Sequence, residues 1–389
     1  MRLLRYFCLK RRMNITVRVL KGGSVKATAY FRSEKSAQDY LPALYSLIST
    51  LKARLPMRFP IFFCRILAIL IVTAFQLVMA ADEYKALFKA KKYAEIERLT
   101  TSQLATNPTD AAALIAKAEA ILFRNDEARI SQAVELSEHC VAAHPNKSEC
   151  HLSLGTTLAA KALAAGRVSG MFLAGKIRQA YQQAVALDGK NIEARFSLLR
   201  YYLLAPAVVG GGIEKSKELA QETFQINPQA GQLMLGIIEL REKRAAQAEA
   251  AALSVSAAGS PPLPEALNDM QRELLIGAGS VYMKTKKYMD AERVFMEVQK
   301  RYPDSAWGLF FLARVNQDQG KCTAALPLFE KAIALDANGY MYFRMASCLE
   351  LLNEKTRALA AFERALGFKD DLSKQHQKEV AARIKLLKS

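Results

Sequence analysis

Residues 306–338 read AWGLFFLARVNQDQGKCTAALPLFEKAIALDAN, and their spacing governs the reading of the rest of the chain. Leu309, Leu312 and Ala313 recur at three- and four-residue intervals, as the buried stripe of one helix requires; Gly320 ends that helix, and Ala325, Phe329 and Ala332 supply the stripe of a second. The following stretch repeats the spacing with Tyr342, Met345, Ala346, Ala358, Phe362 and Ala365. The preceding one supplies Leu275, Ala278, Gly279, Tyr282, Tyr288, Ala291, Phe295 and Pro303. Turn segments recur behind the helical stretches, 34 residues apart from Pro228 to Pro262 and from Pro303 to Ala337, and 37 apart from Pro108 to Pro145. A period in this range marks an array of helix pairs in which no pair buries its own apolar face and stacking on a neighbour completes the core.

Small residues where two helices cross, with Tyr, Phe and Leu filling the space beside them, resemble the tetratricopeptide repeat family. The resemblance implies an all-α, tetratricopeptide-type solenoid of stacked antiparallel helix pairs wound as a right-handed superhelix. Earlier units are more degenerate but keep the register: Leu114, Lys117 and Ala118 lead to Ala133; His151, Leu154 and Gly155 lead to Ile177, Tyr181 and Ala184; Arg195, Leu198, Leu199 and Tyr202 lead to Ser216 and Ala220; Met234, Ile237 and Ile238 lead to Ala250 and Ser254. The expected organisation is degenerate pairs over 81–256, a linker at 257–264 within SAAGSPPLP, three clear units over 265–370 and a basic capping helix over 371–389. Two intervals are longer than the repeat and carry insertions at 163–176 and 203–213. The break in the first is expected at Gly166 to Gly170, and Pro327 is expected near the first turn of its helix, where its missing N–H costs little.

The formal net charge is +18, but residues 1–80 hold 14 Lys/Arg against only Glu34 and Asp39, whereas residues 81–389 hold 41 against 35 acidic residues. Residues 57–81, MRFPIFFCRILAILIVTAFQLVMAA, place Arg58 and Arg65 ahead of an apolar run and compact residues at Val78-Met79-Ala80. That is the arrangement of a secretory signal. The expected leader is a signal peptide at 57–80, preceded at 1–56 by an over-extended start or a disordered segment with no core large enough to stand alone. Membrane contact would then be transient, through the signal; the alternative is an inner-membrane anchor at 59–80. The helix start Ala174-Gly175-Lys176, followed by Ala205-Pro206 and Gly210-Gly211-Gly212, resembles a group of exported bacterial tetratricopeptide proteins. The expected location is the periplasm or cell envelope.

An oxidising destination permits disulfides, and Cys322 with Cys348 and Cys140 with Cys150 are the candidate pairs. Cys140 and Cys150 also lie among His139, His144 and His151, but helical direction separates His139 from Cys140, and no metal site is expected. Gly210, Gly211 and Gly212 read either as a structural turn or as backbone N–H donors to an anion. No Ser–His–Asp, Cys–His or paired-carboxylate arrangement converges, His376 has no nucleophile near it in sequence, and neither enzyme activity nor a cofactor is expected. The positive inference is binding. In the resembled family the first helices line a concave groove that takes an extended peptide or a partner's helix, and the groove candidates here are Arg344, Asn316, Arg314, Tyr340, Arg195, Arg241 and Lys284. Their basic bias favours an acidic protein or peptide partner. The alternatives are an envelope enzyme or enzyme accessory, and a basic nucleic-acid-binding array; the modest charge beyond residue 80 argues against the last.

Overall fold

A computed structural model describes residues 3–7, 13–19, 25–31, 84–124, 126–256 and 263–388. Within residues 1–56, read above as an over-extended start or a disordered segment, β1 (Leu3–Phe7), β2 (Met13–Val19) and β3 (Val25–Phe31) form an antiparallel sheet in the order β1-β2-β3, with Leu3 opposite Arg18 and Met13 opposite Phe31. The physical signal is local: the runs MNITVRV and VKATAYF carry β-branched residues and are separated in sequence by a stretch that holds Gly22 and Gly23. The expected signal peptide at 57–80 and most of the SAAGSPPLP linker lie outside the described residues. Among those described, no helix is long and apolar enough to cross a membrane.

Described regular structure from residue 84 onward is entirely helical. The chain divides into Met1–Ile96 and Glu97–Ser389. Helix α1 spans Tyr93–Thr106, and seven antiparallel pairs follow it. They are α2 (Ala111–Phe123) with α3 (Ile130–Ala143), the two limbs of α4 (Ser148–Leu187), α5 (Ile192–Leu204) with α6 (Ile213–Ile226), and α7 (Pro228–Arg241) with α8 (Ala245–Ser254). The last three are α9 (Glu265–Lys284) with α10 (Tyr288–Arg301), α11 (Ala306–Asp318) with α12 (Cys322–Leu335) and α13 (Gly339–Leu351) with α14 (Lys355–Gly367). Helix α15 (Lys374–Lys388) closes the stack.

The recurrent turn residues start these helices. Asp110, Asn191, Asn227 and Asn338 each accept a backbone N–H of the first turn, from Ala113, Ala194, Ala230 and Tyr340 respectively, at 2.8–3.0 Å. Pro228 follows its cap at a position where no N–H is needed. Pro327 is the sixth residue of α12, just past its first turn, so the Thr323 carbonyl loses its helical donor.

The core follows the period. Ala278, Ala313 and Ala346 on the first helices and Ala291, Ala325 and Ala358 on the second are fully buried, as are Phe295, Phe329 and Phe362 beside them. A Cβ on Gly279 would stand 2.5 Å from the Phe295 ring, and one on Gly155 would stand 2.5 Å from Tyr181. Beyond neighbours in sequence, the helices that approach one another are first helices: α2 with α4, α5 with α7, α7 with α9, α9 with α11 and α11 with α13. They therefore form a continuous face, with the second helices behind it.

The linker expected to let the last repeats tilt is bridged. Helix α9 packs on α7 and α8, and one apolar cluster joins Ala248, Ala251 and Ala252 to Met270, Leu274 and Leu275. Gln271 donates to the Ala252 carbonyl at 2.7 Å, Tyr302 donates to Gln271 at 2.8 Å, and Arg293 pairs with the buried Glu249 of α8. Burial is also the main reason the Tyr302 hydroxyl is pushed up to about 12.

The crossing is tested by two glycine substitutions. Phe295 is fully buried and stacked on Phe311 at 4.9 Å, so it has nowhere to move. Gly279→Ala should lower stability in urea by about 1–3 kcal/mol, with partial recovery when Phe295→Leu is added. Gly175→Ala, whose Cβ meets nothing within 4 Å, should be neutral or stabilise by about 0.5–1 kcal/mol.

Candidate functional site

On the first-helix face, α11 and α13 bring two guanidinium groups to one carboxylate. Arg344 reaches Asp318 at 3.3 Å and Arg314 reaches it at 3.8 Å. Arg314 also donates to the Tyr340 hydroxyl at 3.4 Å, and Gln317 donates to the backbone carbonyl of Arg344 at 2.9 Å. These contacts leave the buried Nε atoms of Arg314 and Arg344 and Oε1 of Gln317 without a hydrogen-bond partner among the described residues. Burial, and then Arg314, hold the Arg344 guanidinium below its usual range; Tyr340, Asp318 and Glu379 of the capping helix act in the opposite direction. Two guanidinium groups thus share one near carboxylate, while two buried N–H donors and one buried amide oxygen acceptor are left unpaired among the described residues.

An aromatic floor adjoins it. Tyr340 packs against Phe310 and Phe343 with ring centroids 5.9 Å apart in each case. His376 of α15 closes over it, 5.2 Å from Tyr340 and 5.1 Å from Phe343, with its ring Nδ1 3.0 Å from the Ser373 hydroxyl. Sequence distance hides His376, Asp318 and Gln317 from this grouping. The usable signal was the capping helix itself, which must cover the last first helix.

The remaining groove candidates go elsewhere. Arg195 is corrected to a packing residue: it is 5% exposed, donates to the Gly189 carbonyl at 2.7 Å and to Thr223 at 3.2 Å, and lies 3.8 Å from Glu222. Its guanidinium ties the turn before α5 to α6, and burial lowers its pKa. Asn316 bonds its own helix at the Leu312 carbonyl, 3.1 Å away, and Arg241 reaches back to the Leu203 carbonyl at 3.1 Å. Lys284 is exposed in the last turn of α9.

The glycine turn resolves toward structure. Gly210, Gly211 and Gly212 donate their N–H groups to the carbonyls of Ala207, Pro206 and Tyr202, at 2.9, 3.1 and 2.8 Å, leaving none for an anion. Gly210 has φ of 91° with the Arg178 guanidinium against it, and a Cβ on Gly211 would overlap the Ala205 carbonyl oxygen.

Cys140 is disulfide-bonded to Cys150 and Cys322 to Cys348, with Cα atoms 5.4 and 5.2 Å apart. Each bond joins one pair to the next, α3 to α4 and α12 to α13. His144 and His151 engage the carbonyls of Thr109 and Pro145 at 2.5 and 2.8 Å. No group of His, Cys, Asp and Glu among the described residues could hold a metal ion.

At the other end of the face, the Glu119 carboxyl on α2 is pushed up to about 7 from 4.5, first by burial and then by Glu193. Its folded value lies above its unfolded one, so the folded chain holds an extra proton between these values. Stability is fully present below that window and declines as pH rises through it. Glu119→Gln should stabilise the protein by about 1–3 kcal/mol at about pH 8 and leave it unchanged at about pH 4, measured by urea unfolding at both.

The tetratricopeptide repeat family model matches residues 276–337 and, overlapping them, residues 312–373. Among solved structures, a tetratricopeptide repeat protein from Parabacteroides merdae ATCC 43184 is 18% identical, covering 72% of this chain and 99% of that one, with a TM-score of 0.41. The Cut9–Hcn1 hetero-tetramer of the APC/C is 13% identical, covering 92% of this chain and 61% of that one, with a TM-score of 0.43. No curated protein matches the chain. Pairs α9/α10 to α13/α14 are the stretch that the family model identifies as tetratricopeptide repeats, set in a longer helical solenoid.

Proposed function

We propose that this protein is an exported scaffold that binds a protein or peptide partner along the face of its first helices and performs no chemistry itself. The reading is carried by the Arg314–Arg344 site, whose orphaned buried donors lie beside an exposed carboxylate and an aromatic floor. An acidic side chain or chain terminus would pair with the terminal N–H groups of these guanidiniums, whose side chains stay 20% and 21% exposed, and an apolar neighbour on the same partner would rest against Tyr340 and Phe343. Export is supported by two independent features. Residues 57–80 have signal-peptide character, and all four cysteines beyond residue 80 are paired, a usage typical of oxidising compartments.

A photo-crosslinking residue at Gln317 in living cells tests the partner class. Protein adducts that fall roughly tenfold when Arg344→Gln is added are expected; nucleic-acid adducts, or adducts indifferent to Arg344, defeat the proposal. Intact mass tests export separately. The expected product is the 309 residues starting at Ala81, and a product retaining residues 57–80 overturns cleavage.

A further inference from the structure

The hairpin of α4 carries features that the first-helix face leaves unused. Its limbs, 148–165 and 167–187, turn at Gly166, where φ is 81°. They close tightly, since a Cβ on Gly170 would stand 2.6 Å from the Ala162 carbonyl oxygen. The limbs exceed the 13- and 14-residue helices of the plain pair α11/α12, and the added turns end in solvent. Leu163 and Phe172 are each 84% exposed, Val168 is 76% exposed and Met171 46%. Nearer the base, Leu158, Ile177 and Tyr181 are buried in the core. The next pair's turn exposes Leu204 and Val208 as well, and Arg178 of the second limb holds that turn by donating to the Val209 carbonyl at 3.2 Å. Large exposed apolar side chains grouped in two adjoining turns mark a contact surface.

Charge selects the occupant. From Cys150 to Leu187 there is no Asp or Glu, and Lys161 and Lys176 flank the tip on the two limbs. The apolar side chains sit on a turn, which is convex and cannot enclose a peptide as a concave pocket does. A bilayer accepts a protruding apolar tip, and long basic side chains around the tip extend to anionic headgroups. We propose that the tip of the α4 hairpin, entering through Leu163, Val168, Met171 and Phe172, docks the solenoid on an anionic lipid bilayer. This contact uses none of the residues at Arg314 and Arg344, so it stands or falls independently of the partner site.

The test uses the full chain with a reporter confined to the tip. Trp307→Phe removes the single tryptophan and Phe172→Trp places one at the exposed position. With vesicles of phosphatidylcholine containing phosphatidylglycerol, the expected result is a blue shift of emission and quenching by brominated acyl chains. Both should weaken in high salt and in pure phosphatidylcholine, and partitioning should fall roughly tenfold or more when Lys161→Glu and Lys176→Glu are added. Met171→Trp provides a second reporter if the first lowers helix content. A tip tryptophan that remains water-exposed while the chain sediments with vesicles assigns membrane contact to the apolar leader and overturns the proposal. A shift without vesicles, rising with protein concentration and accompanied by a dimer in sedimentation, overturns it in favour of a second copy as the occupant.

Discussion

Two helices that cross where a Cβ would stand 2.5 Å from an aromatic ring can do so only if that Cβ is absent. Glycine meets such close approaches at several places in the array. Gly279 admits Phe295, Gly155 admits Tyr181, and Gly236 lies against Leu274 and Ala251 of neighbouring helices. Because the aromatic ring comes from the second helix and the small residue from the first, the close approach fixes which helix of each pair turns forward. The first helices then meet from pair to pair, and the face they build is a consequence of packing rather than a separate design. A larger residue at the crossing would therefore disturb the spacing of that face as well as local stability.

The same closeness sets the electrostatics. Arg314 and Arg344 occupy successive first helices, and stacking brings their guanidinium groups together in a partly dry setting with only Asp318 between them. Each half-buried charge is left with an unmatched Nε, a configuration that helix packing tolerates because the bulk of the free energy resides in the apolar seam behind it. Glu249 is balanced differently: Arg293 and the Tyr282 hydroxyl both donate to it, and three helices are held together across the Pro-rich linker. One buried polar cluster closes on itself, while the other points outward incomplete. That contrast is the observation on which the proposed binding surface rests.

The helix pairs were legible in sequence because their determinants are local and periodic: Ala313, Phe329 and Ala332 announce two stripes, and Asn227-Pro228 or Asn338 announces a helix start. Turns between helices of one pair were less legible. Lys243, Lys286, Gly320 and Asn353 all take positive φ, and the following N–H bonds the carbonyl five residues back in each case, yet only one of the four is glycine. The site was half legible. Arg314, Tyr340 and Arg344 could be named because they project from first helices; Asp318, Gln317 and His376 join them only through stacking between pairs. Arg195 followed the same positional logic into error, since its long side chain turns back to the Gly189 carbonyl instead of forward. The short strands at 3–31 escaped a search directed at a core large enough to stand alone, because their signal is alternation around Gly22 and Gly23.

Insertions into such a stack are confined by the period that makes it. A residue added inside a helix would rotate every later small position out of its crossing, whereas residues added at a turn leave the register of both limbs intact. The two long insertions obey this rule: one extends both limbs of α4 to Gly166, and the other winds through Pro206 and three glycines whose N–H groups return to their own turn. The extra length therefore leaves the edge of the solenoid rather than its interior, and the apolar residues it carries have no neighbouring repeat to cover them. That these residues are Leu163, Val168 and Phe172 rather than polar side chains is not explained by folding, since none of them is buried by it. Burial among the described residues does not account for them, and the absence of any acidic residue between Cys150 and Leu187 favours the anionic bilayer as the occupant over an acid-poor surface.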